Sequence, residues 1–136
     1  MPHFDIFNGD ADGICAIHQI RLNNPQQSTL VTGVKRDTLL LKNVISVKNS
    51  VITVLDISSH ANRESLLQLL RQGNTINYFD HHFSGEIPED PLFHPHIDTS
   101  PDVCTSIIVD RFLKGEHRYW ACLLYTSPSP RDGLLS

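Results

Sequence analysis

Three short apolar runs in this chain each end on a carboxylate cluster, and that recurrence limits the folds open to it. Phe4-Asp5-Ile6-Phe7 leads into Asn8-Gly9-Asp10-Ala11-Asp12-Gly13, Val51-Ile52-Thr53-Val54-Leu55 into Asp56-Ile57-Ser58, and Thr75-Ile76-Asn77-Tyr78-Phe79 into Asp80-His81-His82. Runs of this length and composition read as inner strands of a parallel sheet, buried on both faces. Helical patterns separate them, and strands alternating with helices predict an α/β fold: a doubly wound parallel sheet with helices on both faces. In such sheets ligands sit beyond the carboxyl ends of the strands, the edge on which all three acidic clusters fall. They read as parts of one shared site.

The rest of the chain fits between these strands. A helix carrying Ile14, Ile17 and Ile20 follows Gly13 and stops at Asn23-Asn24-Pro25. Thr29 to Val34 reads as a further strand, after which Asp37 is placed to cap a short helical turn through Leu39, Leu40 and Leu41. The segment from Asn62 to Arg71 sets Leu66, Leu67 and Leu70 on one helical face and ends at Gly73, a left-handed stop. Pro88, Pro91 and Pro95 exclude a long helix beyond His82, and Leu92 to Ile97 reads as a short edge strand. Ser100-Pro101-Asp102 supplies an N-cap, a first-turn proline and a first-turn acid, predicting a helix through Cys104, Ile108 and Phe112 toward Gly115.

Composition bounds the function. With 136 residues, 40% of them hydrophobic and 19% charged, the chain fits one packed domain. A formal net charge of -4 argues against an electrostatically driven duplex-binding surface, although a metal-loaded acidic site still receives phosphates. Cys15, Cys104 and Cys122 are odd in number and not closely paired, so neither a disulfide framework nor a thiolate zinc site is expected, and a cytoplasmic location is. No apolar run approaches the roughly 20 residues that span a bilayer, and no secretion signal is read at the N-terminus. The stretch Cys122 to Asp132 turns abruptly to Pro/Ser punctuation, and one back-translation of it resembles the adapter of transposase-based sequencing libraries. Residues 1–121 are therefore expected to be the N-terminal part of a catalytic domain that continues in the natural protein; the full-length parent is expected to be the active enzyme and this fragment by itself to be inactive. Residues 122–136 are expected to be a non-native tail, and the chain by itself is expected to aggregate.

Each motif has a plain reading beside the chemical one. Asp10-Ala11-Asp12 places two carboxylates two positions apart between glycines, which suits a metal, or serves as a turn in which Asp12 caps the next helix. Asp56 is a metal ligand or a turn residue. Asp80-His81-His82 is the most informative: neutral imidazoles suit manganese, iron or zinc, and a neighbouring carboxylate orients a ring through its other N–H. Lys35 and Arg36 could steer a phosphate but read more simply as a solvated pair. His60 is close enough to Asp56 to reach the site, whereas His3, His18, His94, His96 and His117 show no ligand spacing. Cys104 reads as a core thiol rather than a nucleophile.

Taken together, Asn8-Gly9-Asp10-Ala11-Asp12-Gly13, Asp56 and Asp80-His81-His82 resemble the first three motifs of the DHH phosphoesterase superfamily, over residues 4 to about 121. The resemblance implies a hydrolase: a domain that cleaves a phosphodiester of oligonucleotide or nucleotide type through a hydroxide activated by two divalent ions, Mn2+ first and Mg2+ or Co2+ as substitutes. It implies Asp10 on one ion, Asp12 and His81 on the other, and Asp56 bridging them. His82 would face the scissile phosphate, Asp80 would support these groups, and His82 and Asp80 would be the catalytic pair. Many members carry a His where this chain has Ile6, and Asn8 stands nearby as a weaker carbonyl ligand. Ser100, Thr105 and Ser106, at the start of the last predicted helix, are candidates for binding phosphate through N–H groups. The implied partners are a phosphorylated small molecule or a short single-stranded nucleic acid, with no membrane. The alternatives are a noncatalytic nucleotide- or metal-binding module, and a pyrophosphatase or polyphosphatase.

Overall fold

In the computed structural model, which describes residues 2–33, 39–101 and 103–115, the three apolar runs lie side by side. They form β1 (His3–Asn8), β3 (Val51–Leu55) and β4 (Thr75–Asp80), flanked by β2 (Thr29–Gly33) and β5 (Phe93–Ile97). All pairings are parallel, in the order β2-β1-β3-β4-β5. The architecture is the α/β one expected.

Register then decides which side chains meet. Ile6 lies beside Val54 and Val54 beside Tyr78, while Phe7, Leu55 and Phe79 align one residue further on. Because successive strand residues point to opposite faces, these two rows build two separate cores. The first packs with Leu40, Leu41, Leu66, Leu69 and Leu70 from the 3₁₀ turn Leu40–Val44 and from α2 (Arg63–Arg71). The second packs with Ala16, Ile17, Ile108 and Val109 from α1 (Ala11–Asn23) and α3 (Thr105–Phe112). Helices thus cover both faces, which is why the inner strands are apolar throughout. Asp5, the exception in β1, is fully buried and receives the Arg21 guanidinium of α1 at 2.5 and 2.8 Å and the Ser28 hydroxyl at 2.6 Å. That partly buried pair ties the end of α1 to the sheet; truncating Arg21 would leave the buried Asp5 without its cation.

Several boundaries differ from the sequence expectation for identifiable reasons. Asp10, rather than Asp12, caps α1, with its Oδ1 accepting from the Gly13 N–H at 3.0 Å. The buried leucines of α2 are Leu66, Leu69 and Leu70; Leu67 is only half-buried, because the helix turns its 66/69/70 stripe to the sheet. Gly73 does close that segment, at φ +82°. The last helix starts at Thr105 and not at Ser100-Pro101. Ser100 instead sits in a turn, its N–H donating to Asp98 Oδ1 at 2.9 Å and its carbonyl accepting from Val103 at 3.1 Å. The cap of α3 comes from elsewhere in the chain, as described below. Val34, Lys35, Arg36, Asp37, Asp102 and the expected boundary and tail beyond residue 115 lie outside the described residues. Among the described residues no helix is long and apolar enough to cross a membrane.

Candidate metal centre

The site is assembled where β1, β3 and β4 end. After β1 the chain must reverse at once into α1, and Gly13 makes this possible: a Cβ there would lie 2.1 Å from the Asn8 carbonyl oxygen. The first turn of α1 is therefore folded tightly over the strand end, carrying Asp10 and Asp12 with it. After β3 the backbone turns at Asp56, which has φ 63°, a left-handed conformation uncommon for a residue with a side chain. Asp56 is held there by its N–H donating to the Phe79 carbonyl at 2.9 Å. The buried Tyr78 hydroxyl, 2.5 Å from the Ile57 carbonyl, holds the following residue. β4 ends on Asp80, fully buried, from which His81 and His82 emerge.

These elements bring four donors together: one ligand atom from each of Asp56, Asp80, His81 and His82 lies within 4.8 Å of the others. His81 Nε2 is 3.0 Å from Asp56 Oδ1 and 3.6 Å from Asp12 Oδ2, which joins the first motif to the second and third. His82 Nδ1 is 2.6 Å from Asp80 Oδ1, so the carboxylate accepts from that nitrogen and leaves Nε2 as the free position of a ring that is 43% exposed. Asp10 reaches the same group, since it acts on Asp56 by both charge and hydrogen bonding. Asp10, Asp12, Asp56, Asp80, His81 and His82 thus occupy one basin at the carboxyl edge of the sheet.

Electrostatics record the crowding. Burial, and then the charges of Asp12 and Asp10, push the Asp56 carboxyl up from 3.8 to about 7, against the lowering effect of its bond to His81. His81 is raised chiefly by its bond to Asp56, and His82 chiefly by its bond to Asp80. The basin therefore holds protons near neutrality that a cation would displace.

The residues also fit a divalent ion by an independent test. Asp80 Oδ2 and Asn8 Oδ1 are buried oxygens without a hydrogen-bond partner, whereas buried polar atoms are ordinarily satisfied. Carboxylate, amide carbonyl and imidazole form a donor set suited to Mn2+, Mg2+ or Zn2+. Asn8, expected from the sequence as the weaker ligand, stands at the end of β1 with that oxygen buried. Ile6, two residues earlier on the same face of β1, is fully buried in the apolar core and offers no donor.

The start of α3 serves a different purpose from the one read in the sequence. The backbone N–H groups of Thr105 and Ser106 donate to Asp12 Oδ2 and Oδ1 at 2.9 and 2.8 Å, and the Thr105 hydroxyl is 3.2 Å from Asp56 Oδ1. The helix N-terminus does bind an anion, but that anion is the protein's own carboxylate. Gln19 of α1 reinforces the junction by donating from Nε2 to the Ser106 carbonyl at 2.9 Å. Sequence reasoning missed this clamp; its signal was a Thr-Ser pair where a core-facing helix would begin with apolar residues. Cys104, beside it, is buried, and burial followed by the charge of Asp12 raises its thiol, as befits an unreactive core cysteine. His60 stands outside the four-donor group and packs against Phe83. His96 stacks on Phe79 at 4.7 Å. A cleft of about 470 Å³ beside α2, lined by Arg63, Arg71 and Glu86 among others, contains none of the clustered donors.

The crystal structure of RecJ from Thermus thermophilus in complex with Mn2+ is similar to this fold, with a TM-score of 0.54 and 18% sequence identity. The likeness covers 88% of this chain and 18% of that one. No protein-family model and no curated protein matches the chain. At this identity the likeness is one of fold: the chain shares the parallel α/β architecture of the part of RecJ that it covers.

Proposed function

We propose that this chain is a metal-dependent phosphoesterase domain that hydrolyses a phosphodiester of oligonucleotide or nucleotide type. The observation that carries the reading is the convergence of Asp56, Asp80, His81 and His82 within 4.8 Å on the edge where Asp12 and Asp10 also lie. Two divalent ions, Mn2+ by preference, would be held by Asp10, Asp12, Asp56 and His81 with help from Asn8; they would acidify water and neutralise charge on the phosphoryl oxygens. The protein groups supply the remainder. Asp56 and His81, 3.0 Å apart and both raised above their ordinary values, would give up protons on binding the ions. His82, held through Nδ1 by Asp80 and raised above its ordinary range, presents Nε2 as a proton donor to an oxygen of the substrate phosphate. Asp12 stays fixed because both of its oxygens are clamped by α3.

The substrate is proposed to be a short single-stranded nucleic acid or a phosphorylated small molecule, and the free thiols of Cys15 and Cys104 fit a reducing, cytoplasmic setting. The test is calorimetric titration with Mn2+, paired with hydrolysis of a 5′-phosphorylated dinucleotide, for the protein and its Asp56→Ala and His81→Ala variants. Saturable Mn2+ binding and Mn2+-dependent cleavage, both lost in the variants, are expected. Mn2+ binding that survives both substitutions would overturn the reading.

A further inference from the structure

Phe83 follows His82 directly, yet it is turned out of the protein and is 70% exposed. The other exposed Phe, Phe112, leans on the rings of Phe79 and His96 in the second core, and Ile14, Leu22 and Leu30 lie on α1 and the edge strand β2. The loop that leaves the candidate centre carries Phe83 and, four residues on, the less exposed Ile87; Phe83 is the one that adjoins the centre.

Its ring is nevertheless propped. His60, from the loop after Asp56, meets it edge to face with centroids 5.3 Å apart and planes at 61°. His60 in turn packs closely over Gly85, which has φ +63°: a Cβ there would lie 2.8 Å from His60 Nδ1 and would oblige the ring to shift. The loops after β3 and β4 are thus keyed together beneath one exposed aromatic face. Consecutive Cα atoms are about 3.8 Å apart, so this face begins one residue from the imidazole that would meet the phosphate. An acidic basin that takes a phosphate through cations needs a neutral group to recognise what the phosphate carries, and a π-face stacks on any nucleobase.

We infer that Phe83, propped by His60, is a stacking platform for the nucleobase beside the scissile phosphate. This rests on the phosphoesterase reading above and deepens it: the platform selects nucleotidic esters over pyrophosphate and polyphosphate.

Two arms test it. In the first, KM is measured with Mn2+ for a 5′-phosphorylated deoxydinucleotide and for the same diester built on abasic sugars. The preference for the dinucleotide falls about tenfold in Phe83→Ala and is retained in Phe83→Trp. An unchanged preference in Phe83→Ala would overturn the platform. In the second arm, indole fluorescence of Phe83→Trp, corrected for wild-type fluorescence, is followed on adding adenosine monophosphate or ribose 5-phosphate. Quenching by the nucleotide alone is expected; equal quenching by both, or none, counts against stacking. If wild-type protein cleaves neither diester, the phosphoesterase reading fails by itself, and the quenching arm then decides the platform.

Discussion

At the scale of single residues, Asp56 is where strain and charge coincide: positive φ, deep burial and two acidic neighbours. A carboxyl raised from 3.8 to about 7 makes the metal-free fold favour protonation. The linked stability is fully present below pH 3.8 and is lost as pH rises through about 7. His81, also raised, acts in the same sense, its contribution being present below pH 6.5 and fading above it. The metal-free protein should therefore melt at a lower temperature at pH 8 than at pH 5.5. Asp56→Asn, which removes both effects, should flatten that slope in thermal scans against pH. Thr105 offers a second residue-level test. Its hydroxyl bonds Asp56 while its N–H bonds Asp12, so Thr105→Val removes the orienting bond and leaves the backbone bond in place. Mn2+ affinity should fall about 10–100-fold by titration calorimetry, and Thr105→Ser should restore it.

At the scale of elements, the junction of α1 with α3 is held by polar contacts. Asp12 serves α3 as an N-cap does, but from the neighbouring helix, and Gln19 answers through the Ser106 carbonyl. The arrangement works only if the first turn of α1 lies close against β1, and Gly13 is the residue that allows it. Gly13→Ala would force the turn away from the Asn8 carbonyl. A loss of about 1–3 kcal/mol in urea unfolding is expected, the usual cost of overpacking, together with weakened Mn2+ binding because Asp10 and Asp12 move with the turn. The same junction explains why the start of α3 was misplaced from sequence. Ser100-Pro101-Asp102 carries the local signature of a helix start, but Asp12 satisfies the Thr105 N–H from 93 residues away. Such a partner leaves no periodic trace.

For the whole molecule, two apolar layers support a polar edge whose groups repel one another. Asp10, Asp12, Asp56 and Asp80 gather around two imidazoles, so a divalent ion should bind the folded chain and not the unfolded one. At one hundred times its dissociation constant, Mn2+ should add about 2.7 kcal/mol to unfolding. Several degrees of melting temperature should follow. EDTA should abolish the shift in a thermal scan, and Asp56→Ala should do so as well.

The order of strands and helices, their spacing and the acidic edge were legible in the chain, because buried parallel strands and helix stops are written in local periodicity and punctuation. Val51–Leu55 could be read to the residue, and Gly73 as the left-handed stop of α2. The three acidic motifs shared an edge for the same reason: in a parallel sheet every strand's carboxyl end faces the same way. What only tertiary structure decided was how that edge is wired. It paired His81 with Asp56, gave Asp12 to the amides of α3, turned Asn8 Oδ1 and Asp80 Oδ2 inward without partners, and stood Phe83 on His60. Each of these depends on groups distant in sequence meeting within a hydrogen bond or a ring contact, and that distance is set by the packing of both layers rather than by any one segment.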